Sequence, residues 1–128
     1  MKYNLEDVDF SDEPVLSGEL ILDEKILTLV VEGCYDCVNE TYLLDKMQIT
    51  IRDWETISIS LTEQFRPKDK AEYEVTKYLK LPEEFNYFDY ISVFKATDNI
   101  ITLEGSAKGH GWLTYTITNA TVEIINID

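Results

Sequence analysis

The sequence has very few of the side chains that bind metal ions or carry redox chemistry. Its 128 residues include one histidine, His110, and two cysteines, Cys34 and Cys37. A structural zinc site needs four nitrogen or sulfur ligands, and His110 lies far along the chain from both cysteines. We therefore expect no bound metal and no cofactor.

The spacing Cys34-x-x-Cys37 is compatible with a metal clip, a redox dithiol, a disulfide or two unlinked thiols. A redox pair normally begins a helix, whose N-terminus lowers the thiol pKa, but a strand is predicted after this motif. A disulfide is disfavoured in a cytosolic protein. Two reduced thiols in a connection between strands are the preferred interpretation.

Motifs of known catalytic chemistry are also missing. No G-x-S-x-G nucleophile elbow occurs, and Gly109-His110-Gly111 extends to neither a Walker nor a dinucleotide-binding pattern. A lone histidine between two glycines is more often a surface residue than a general base. We assign no catalytic residue and expect no enzyme activity.

Basic residues are scarce, with 11 Lys and Arg against 25 Asp and Glu, which gives a net charge of -14. Nucleic acid is an unsuitable partner, because phosphate binding needs a basic face. The charge is uneven: eight acids lie in residues 1–24, whereas five basic residues lie in residues 66–80. Such a field attracts basic proteins. Acidity that serves only solubility is the alternative.

Long apolar runs are absent, and the first residues contain no apolar segment of the kind found in signal peptides. We therefore expect a cytoplasmic protein that does not enter a membrane. With 45% hydrophobic residues, the chain can bury enough apolar surface to fold. Its length predicts a single domain, residues 1–128.

Alternation of apolar and polar residues with period 2 predicts β-strands along most of the chain. Residues 47–52 and 57–61 both alternate, and Asp53-Trp54-Glu55-Thr56 lies between them. This pattern predicts a β-hairpin with residues 53–56 at its tip.

A second hairpin is predicted from residues 88–97 to residues 100–105, because the intervening Asp98-Asn99 pair tolerates positive φ. Lys108 to Gly111 then turn into a long last strand. Together these segments predict a three-stranded meander at the C-terminus.

The last strand contains a change of phase. Its apolar residues are first Leu113, Tyr115 and Ile117, and then Ala120, Val122 and Ile124. One extra residue near Asn119 would restore both series to the same face, so a β-bulge and a bend are predicted there.

One segment departs from the β pattern. Asp69 followed by Glu72 resembles a capping box, and Leu81-Pro82 supplies a stop, so residues 69–81 are predicted to form a short helix. A strand in this segment is the alternative. The whole pattern predicts a mainly β fold, an antiparallel sandwich or partly open barrel of about seven strands with one short helix.

Aromatic and acidic residues occur together in several predicted loops. Aromatic side chains supply contact area and acids select a cationic partner, so this composition indicates a protein-binding surface. The candidate binding residues are Asp36, Glu40, Asp53, Trp54, Glu55, Glu83, Glu84 and Tyr87.

In size, acidity and content of hairpins and loops, the chain resembles the immunity proteins of bacterial toxin systems. These are small cytosolic inhibitors of contact-dependent or polymorphic toxins. The resemblance rests on segments such as ITIRDWETISISL and LPEEFNYFDY. It implies that an acidic surface docks on a basic, nuclease-like toxin domain and blocks its active site or an adjacent element.

A barrel-like carrier of a small ligand, or an enzyme derived from one, is the alternative function. In that case Tyr73, Tyr90, Trp112 and Tyr115 would line a polar cavity. A filled core, with acids and rings presented outward from loops, would instead favour the binding protein.

Overall fold

The computed structural model describes residues 2–127, which form thirteen β-strands and one turn of 3-10 helix at Leu5–Asp7. The strands are β1 (Lys2–Tyr3), β2 (Val8–Asp9), β3 (Glu13–Ile21), β4 (Ile26–Val31), β5 (Cys34–Asp36), β6 (Thr41–Leu43), β7 (Met47–Arg52), β8 (Thr56–Phe65), β9 (Tyr73–Tyr78), β10 (Phe88–Thr97), β11 (Ile100–Ala107), β12 (Trp112–Thr118) and β13 (Thr121–Asn126). The mainly β prediction is confirmed. The predicted count of about seven strands is wrong, as is the predicted helix.

The strands form two antiparallel sheets. Ten strands form one open sheet in the order β1-β13-β7-β4-β3-β10-β11-β12-β8-β9. The remaining three form a small sheet in the order β2-β5-β6. The small sheet was not predicted, because strands of two or three residues are too short to show an alternating pattern.

Two long strand pairs bend together where the large sheet changes direction. On one side of the bend β7 pairs with β13, ending at Arg52 opposite Thr121. On the other side β8 pairs with β12, beginning at Thr56 opposite Thr118. The segment from β7 to β8 therefore runs beside the segment from β12 to β13 across the bend. The predicted hairpin with its tip at residues 53–56 is therefore wrong. β7 pairs with β4 and β13, whereas β8 pairs with β9 and β12.

Each of the two segments that cross the bend has one residue with positive φ, Asp53 at 58° between β7 and β8 and Asn119 at 53° between β12 and β13. Asn and Asp adopt this left-handed conformation more readily than most residues, because their short side chains can form local hydrogen bonds. The interruption predicted near Asn119 is confirmed, since β12 ends at Thr118 and β13 begins at Thr121. The predicted extra residue on this strand is wrong, because residues 119 and 120 face the three residues 53–55 of the other segment. Ile117 before the bend and Ile124 after it are both buried, although their alternation differs in phase.

Residues 69–81 contain a strand where a helix was predicted. β9 pairs with β8 without a register shift, from Phe65 opposite Tyr73 to Ser60 opposite Tyr78. The expected helix cap, Asp69, has a φ of 64° in the turn before β9, which is outside the extended conformation of an N-cap. Aromatic and β-branched residues in this segment favour a strand, and here pairing with β8 outweighs the capping pattern.

The C-terminal meander is confirmed. Thr97 pairs with Ile100 around Asp98 and Asn99, whose φ values of 53° and 64° suit a two-residue hairpin turn. β11 then pairs with β12 from Ile100 to Ser106.

The described residues form one hydrophobic core that contains side chains from both ends of the large sheet. Its fully buried members include Leu27, Leu29, Ile49, Ile51, Ile59, Leu103, Leu113 and Tyr115. The rings of Phe88 and Tyr115 lie 4.5 Å apart between centroids, and the Tyr115 hydroxyl donates to the Asn86 carbonyl oxygen. Each such apolar side chain stabilises the fold by about 1.5–3 kcal/mol relative to exposure. The centre of the molecule is therefore filled with side chains.

Candidate functional site

A hairpin at residues 34–43 forms most of the small sheet. β5 pairs with β6 on one side and with β2 on the other. The backbone N–H of Cys37 donates to the Asp7 carbonyl oxygen at 2.9 Å, which fixes the hairpin turn against the N-terminal segment. The hairpin is thus anchored along its β5 edge and at its turn, whereas β6 is the last strand of the small sheet.

Asp36 supports the turn of this hairpin from inside. Its carboxylate accepts hydrogen bonds from the Asn39 side chain at 2.9 Å and from the backbone N–H groups of Asn39 and Val38 at 3.1 and 3.0 Å. The Asn39 bonds lower the pKa of Asp36, because they stabilise the charged form. Asp36 is buried, and its hydrogen bonds hold the turn in place.

The hairpin presents three apolar side chains to solvent. Val38 in the turn is 66% exposed, Tyr42 on β6 is 49% exposed and Leu44 just beyond β6 is 83% exposed. Tyr42 and Leu44 are two residues apart, as expected for neighbours on one face of an extended chain. Grouped exposed apolar side chains of this kind are typical of interaction sites.

Acidic side chains surround these apolar residues. Residues 26–45 contain no Lys or Arg, and the exposed Glu32, Glu40 and Asp45 lie within this range. The exposed Asp9 joins them from β2, which pairs with β5. We refer to the exposed side chains of Asp9, Glu32, Val38, Glu40, Tyr42, Leu44 and Asp45 as the small-sheet surface.

A buried carboxyl group lies beneath this surface. Glu13, at the start of β3, is 3% exposed and accepts a hydrogen bond from the Tyr42 hydroxyl through Oε1. Its Oε2 is buried without a hydrogen-bond partner among the described residues. Burial raises the pKa of Glu13, and the nearby charges of Glu32, Asp9 and Asp12 raise it further. The acids around the surface are therefore close enough to interact electrostatically.

Burial also affects the Cys34 thiol and the Tyr42 hydroxyl. It raises the pKa of Cys34 to about 11, with added contributions from Glu13 and Asp36. Burial and the hydrogen bond to Glu13 raise the pKa of Tyr42 to about 12. Both groups are thus neutral near pH 7, and a protonated thiol is a poor nucleophile.

The two cysteines are free thiols rather than a disulfide. Cys34 is buried within β5, and Cys37 is exposed in the turn that follows. The preferred interpretation of two unlinked thiols is confirmed, although Cys34 lies in a strand and not in a connection between strands. No helix begins at the motif, so the geometry of a redox dithiol is absent.

Three candidate residues lie at the bend of the large sheet. Asp53 and Glu55 are exposed, and the Glu55 carboxylate accepts a hydrogen bond from the Asn119 side chain at 2.5 Å. Trp54 between them is 3% exposed and belongs to the hydrophobic core. The prediction that Trp54 lies at a hairpin tip is wrong, because the chain bends inward here instead of reversing direction.

Three further candidates lie in the loop between β9 and β10. Glu83 and Glu84 are exposed, and the Glu84 carboxylate accepts from the Lys80 backbone N–H at 2.7 Å. Tyr87 is half-buried, and its Cβ lies 2.6 Å from where a Cβ on Gly18 would stand. The absence of a side chain at Gly18 therefore lets Tyr87 pack against β3. Glu83 and Glu84 are accessible to a partner, whereas Tyr87 is partly buried by its packing against β3.

The candidate residues from the sequence thus occupy three separate places. Only Asp36 and Glu40 belong to the small sheet and its turn. Val38, Tyr42 and Leu44 were not identified from the sequence. Their segment was interpreted as a connection followed by the beginning of a strand, and neither suggests a binding surface. Glu13 was also missed, since an acid in the acidic N-terminal segment gives no sign that it will be buried.

The four aromatic residues expected to line a carrier cavity do not converge. Tyr115 is buried in the core, whereas Tyr73, Tyr90 and Trp112 are 52%, 38% and 36% exposed. The molecule does have a surface cleft of about 630 Å³, between the N-terminal segment and the β10–β11 turn. None of the four aromatic residues lines this cleft.

Across residues 2–127, no three His, Cys, Asp or Glu side chains are grouped so that they could hold a metal ion. His110 is exposed in the turn between β11 and β12. Over the same residues, no helix is long and apolar enough to cross a membrane.

Comparison with known proteins finds no matching protein family, no matching curated sequence and no matching solved structure.

Proposed function

We propose that this protein binds a basic protein domain through the small-sheet surface and inhibits it. This is the mechanism implied by its resemblance to bacterial toxin immunity proteins. The observation that carries the proposal is the group of exposed Val38, Tyr42 and Leu44 within a segment that contains acids and no base. A basic nuclease-like toxin domain is the partner that fits such a surface.

The apolar residues and the acids have different tasks in this mechanism. Aromatic side chains at the centre of an interface often contribute most of the binding energy, and neighbouring side chains help to exclude water from them. Acids at the rim guide a basic partner during diffusion and discourage acidic ones. Tyr42 is suited to the first task, because its ring is exposed while its hydroxyl is held by Glu13.

The overall charge supports a basic partner. Acidic residues outnumber basic ones by 14. The described ion pairs join Lys2 and Arg52 to Glu123, Arg66 to Glu72, and Lys108 to Asp89, and none involves an acid of the small-sheet surface. Asp45 accepts a hydrogen bond from the Asn126 side chain at 3.0 Å, and Asp9 accepts one from the Ser11 hydroxyl at 2.6 Å. The exposed Glu32 and Glu40 supply a negative field that favours a basic partner.

The small-ligand carrier is the weaker candidate. A carrier encloses its ligand in a largely apolar cavity, whereas this core is filled and the expected aromatic residues point to separate places. Co-purification of a small molecule would favour it.

The test is to co-express the protein with the product of the neighbouring gene and to measure complex formation and protection from toxicity. Leu44→Ala should weaken binding, with Leu16→Ala as the matched control, because both leucines are exposed but only Leu44 lies on the small-sheet surface. Tyr42→Ala should weaken binding by about 2 kcal/mol or more, roughly 30-fold in Kd, mainly through faster dissociation. Tyr78→Ala is its control, since Tyr78 is an exposed tyrosine on β9.

Charge reversal separates the rim from the centre. Glu40→Lys should mainly slow association, and its effect should diminish as salt rises to physiological concentration. Glu83→Lys with Glu84→Lys should slow association if the rim extends to the loop after β9. Equal affinity in the wild type, Leu44→Ala and Tyr42→Ala proteins would show that the small-sheet surface is not the binding site.

A further inference from the structure

We infer that this protein forms a symmetric homodimer by antiparallel pairing of β9 with β9 of a second copy. β9 is the last strand of the large sheet, and it pairs only with β8. A strand in this position presents unpaired backbone N–H and C=O groups along its open side, which are a template for a further strand.

β9 lacks most of the features that normally prevent edge pairing. It has six residues, contains no proline and pairs with β8 without a bulge. The opposite edge strand, β1, has only two residues, which is a common means of protection. All six residues of β9 are exposed, so nothing in the described chain covers it.

The edge is partly apolar on the face that continues the core side of β8. Leu61 on β8 packs against the core, and the same face extends outward through Phe65, Tyr73 and Val75, with Glu63 and Lys77 between them. Phe65 and Tyr73 stack with ring centroids 5.2 Å apart, yet both remain more than a third exposed. A second copy of β9 would bury part of this surface.

Among the surfaces of this acidic protein, charge favours the β9 edge for pairing with a second copy. Residues 66–80 contain five basic and three acidic residues, although the whole chain has a net charge of -14. Approach through any strongly acidic surface would bring two anionic bodies together. Pairing through β9 brings together the least acidic parts of two copies, which minimises this repulsion.

The direction of the backbone groups limits the register. The N–H of Leu79 donates to the Ile59 carbonyl oxygen on β8 at 2.8 Å. Because alternate residues of an antiparallel strand direct their backbone groups to opposite sides, Glu74, Thr76 and Tyr78 face the open edge. Two copies related by a two-fold axis can then pair only residues that are both even-numbered or both odd-numbered.

Four symmetric registers pair at least three residues of each β9, centred on Glu74, Val75, Thr76 or Lys77, and the last of them would set two lysines opposite each other. A centre at Glu74 sets two carboxylates opposite each other, and a centre at Thr76 sets Val75 against Lys77. A centre at Val75 pairs valine with valine. It also places Tyr73 of each copy opposite Lys77 of the other. The latter pairs combine an aromatic ring with a cation and oppose no like charges. The geometry therefore favours the register centred on Val75.

Sedimentation equilibrium of the purified protein over a range of concentrations tests the dimer. The mass should rise from 14.8 kDa toward twice that value as concentration increases. Val75→Lys should abolish this rise, because it places two ammonium groups opposite each other at the axis. Val38→Lys is the matched control: it makes the same change at an exposed valine elsewhere and should leave the dimer intact.

Cross-linking tests the register. In a Cys37→Ser background, which removes the exposed thiol, Val75→Cys should form an intermolecular disulfide on oxidation. Thr76→Cys should not, because Thr76 lies opposite Glu74 of the second copy in the proposed register. A monomer at every concentration, a dimer unaffected by Val75→Lys, or an acidic protein bound at β9 in place of a second copy would overturn the inference.

Discussion

Replacement of Trp54 by alanine distinguishes the observed bend from the hairpin tip that the sequence suggests. Trp54 is 3% exposed and packs in the hydrophobic core between the exposed Asp53 and Glu55. Truncation of a buried tryptophan typically costs about 3–5 kcal/mol, because apolar contacts are lost and a cavity remains. At an exposed tip the same change would cost less than about 0.5 kcal/mol.

Urea unfolding measures this difference. A loss of about 4 kcal/mol at a urea m-value of about 2 kcal/mol/M lowers the unfolding midpoint by about 2 M. Trp112→Ala is the control. Trp112 is 36% exposed, and its indole N–H donates to Glu104 at 3.3 Å, so its loss should cost clearly less.

Fluorescence gives a second readout, because the chain contains only two tryptophans. In Trp112→Phe the remaining Trp54 should emit at short wavelength and resist quenching by acrylamide. In Trp54→Phe the remaining Trp112 should emit at longer wavelength and be quenched readily. A Trp54→Ala midpoint close to that of the wild type, together with ready quenching of Trp54, would refute the buried position.

Two further predictions concern the bend and the buried carboxyl group. Asn119→Ala should cost about 1–2 kcal/mol, because alanine keeps a Cβ at a φ of 53° but lacks the polar side chain that lets asparagine adopt this conformation and bind Glu55. Asn119→Gly also loses the bond to Glu55 but has no Cβ to strain, so it should cost less. Equal midpoints for the two variants in urea unfolding would contradict the explanation. Burial raises the pKa of Glu13 in the folded state, so the free energy of unfolding should fall as pH rises from the unfolded carboxyl's pKa of about 4.3 through the higher folded value. Glu13→Gln should remove this part of the decline, and the control Glu19→Gln, at an exposed position, should not. Free energies of unfolding measured between pH 4 and 8 that fall equally in both variants would show that Glu13 is not responsible.

The positions of strands were more predictable than their partners. Period-2 alternation identified β7, β8, β10, β11 and β12, because each has one face toward the core. It could not distinguish a hairpin from a bend at residues 53–56, since polar turn-forming residues interrupt the alternation in both cases. The pairing of β7 and β8 depends on contacts with residues 112–126, which are distant in sequence.

The binding surface was only partly predictable for a similar reason. The mix of acidic and aromatic residues in a predicted loop is visible in the sequence, and Glu40 was identified from it. The exposure of Tyr42 and Leu44 depends on the small sheet, whose short strands leave no periodic signal. Trp54 was chosen as an anchor because it lies between two acids, yet its burial is decided by the bend.

The two proposed interfaces should respond to salt in opposite ways. Binding of a basic partner relies on attraction to exposed acids such as Glu32 and Glu40, so screening should slow its association. Dimerisation through β9 brings together two bodies of net charge -14, so screening should weaken the repulsion between them. Raising salt from low to physiological concentration should therefore slow partner association while strengthening the dimer. A single surface that served both purposes could not show both effects, and the Val38→Lys and Val75→Lys variants would then impair the two activities together.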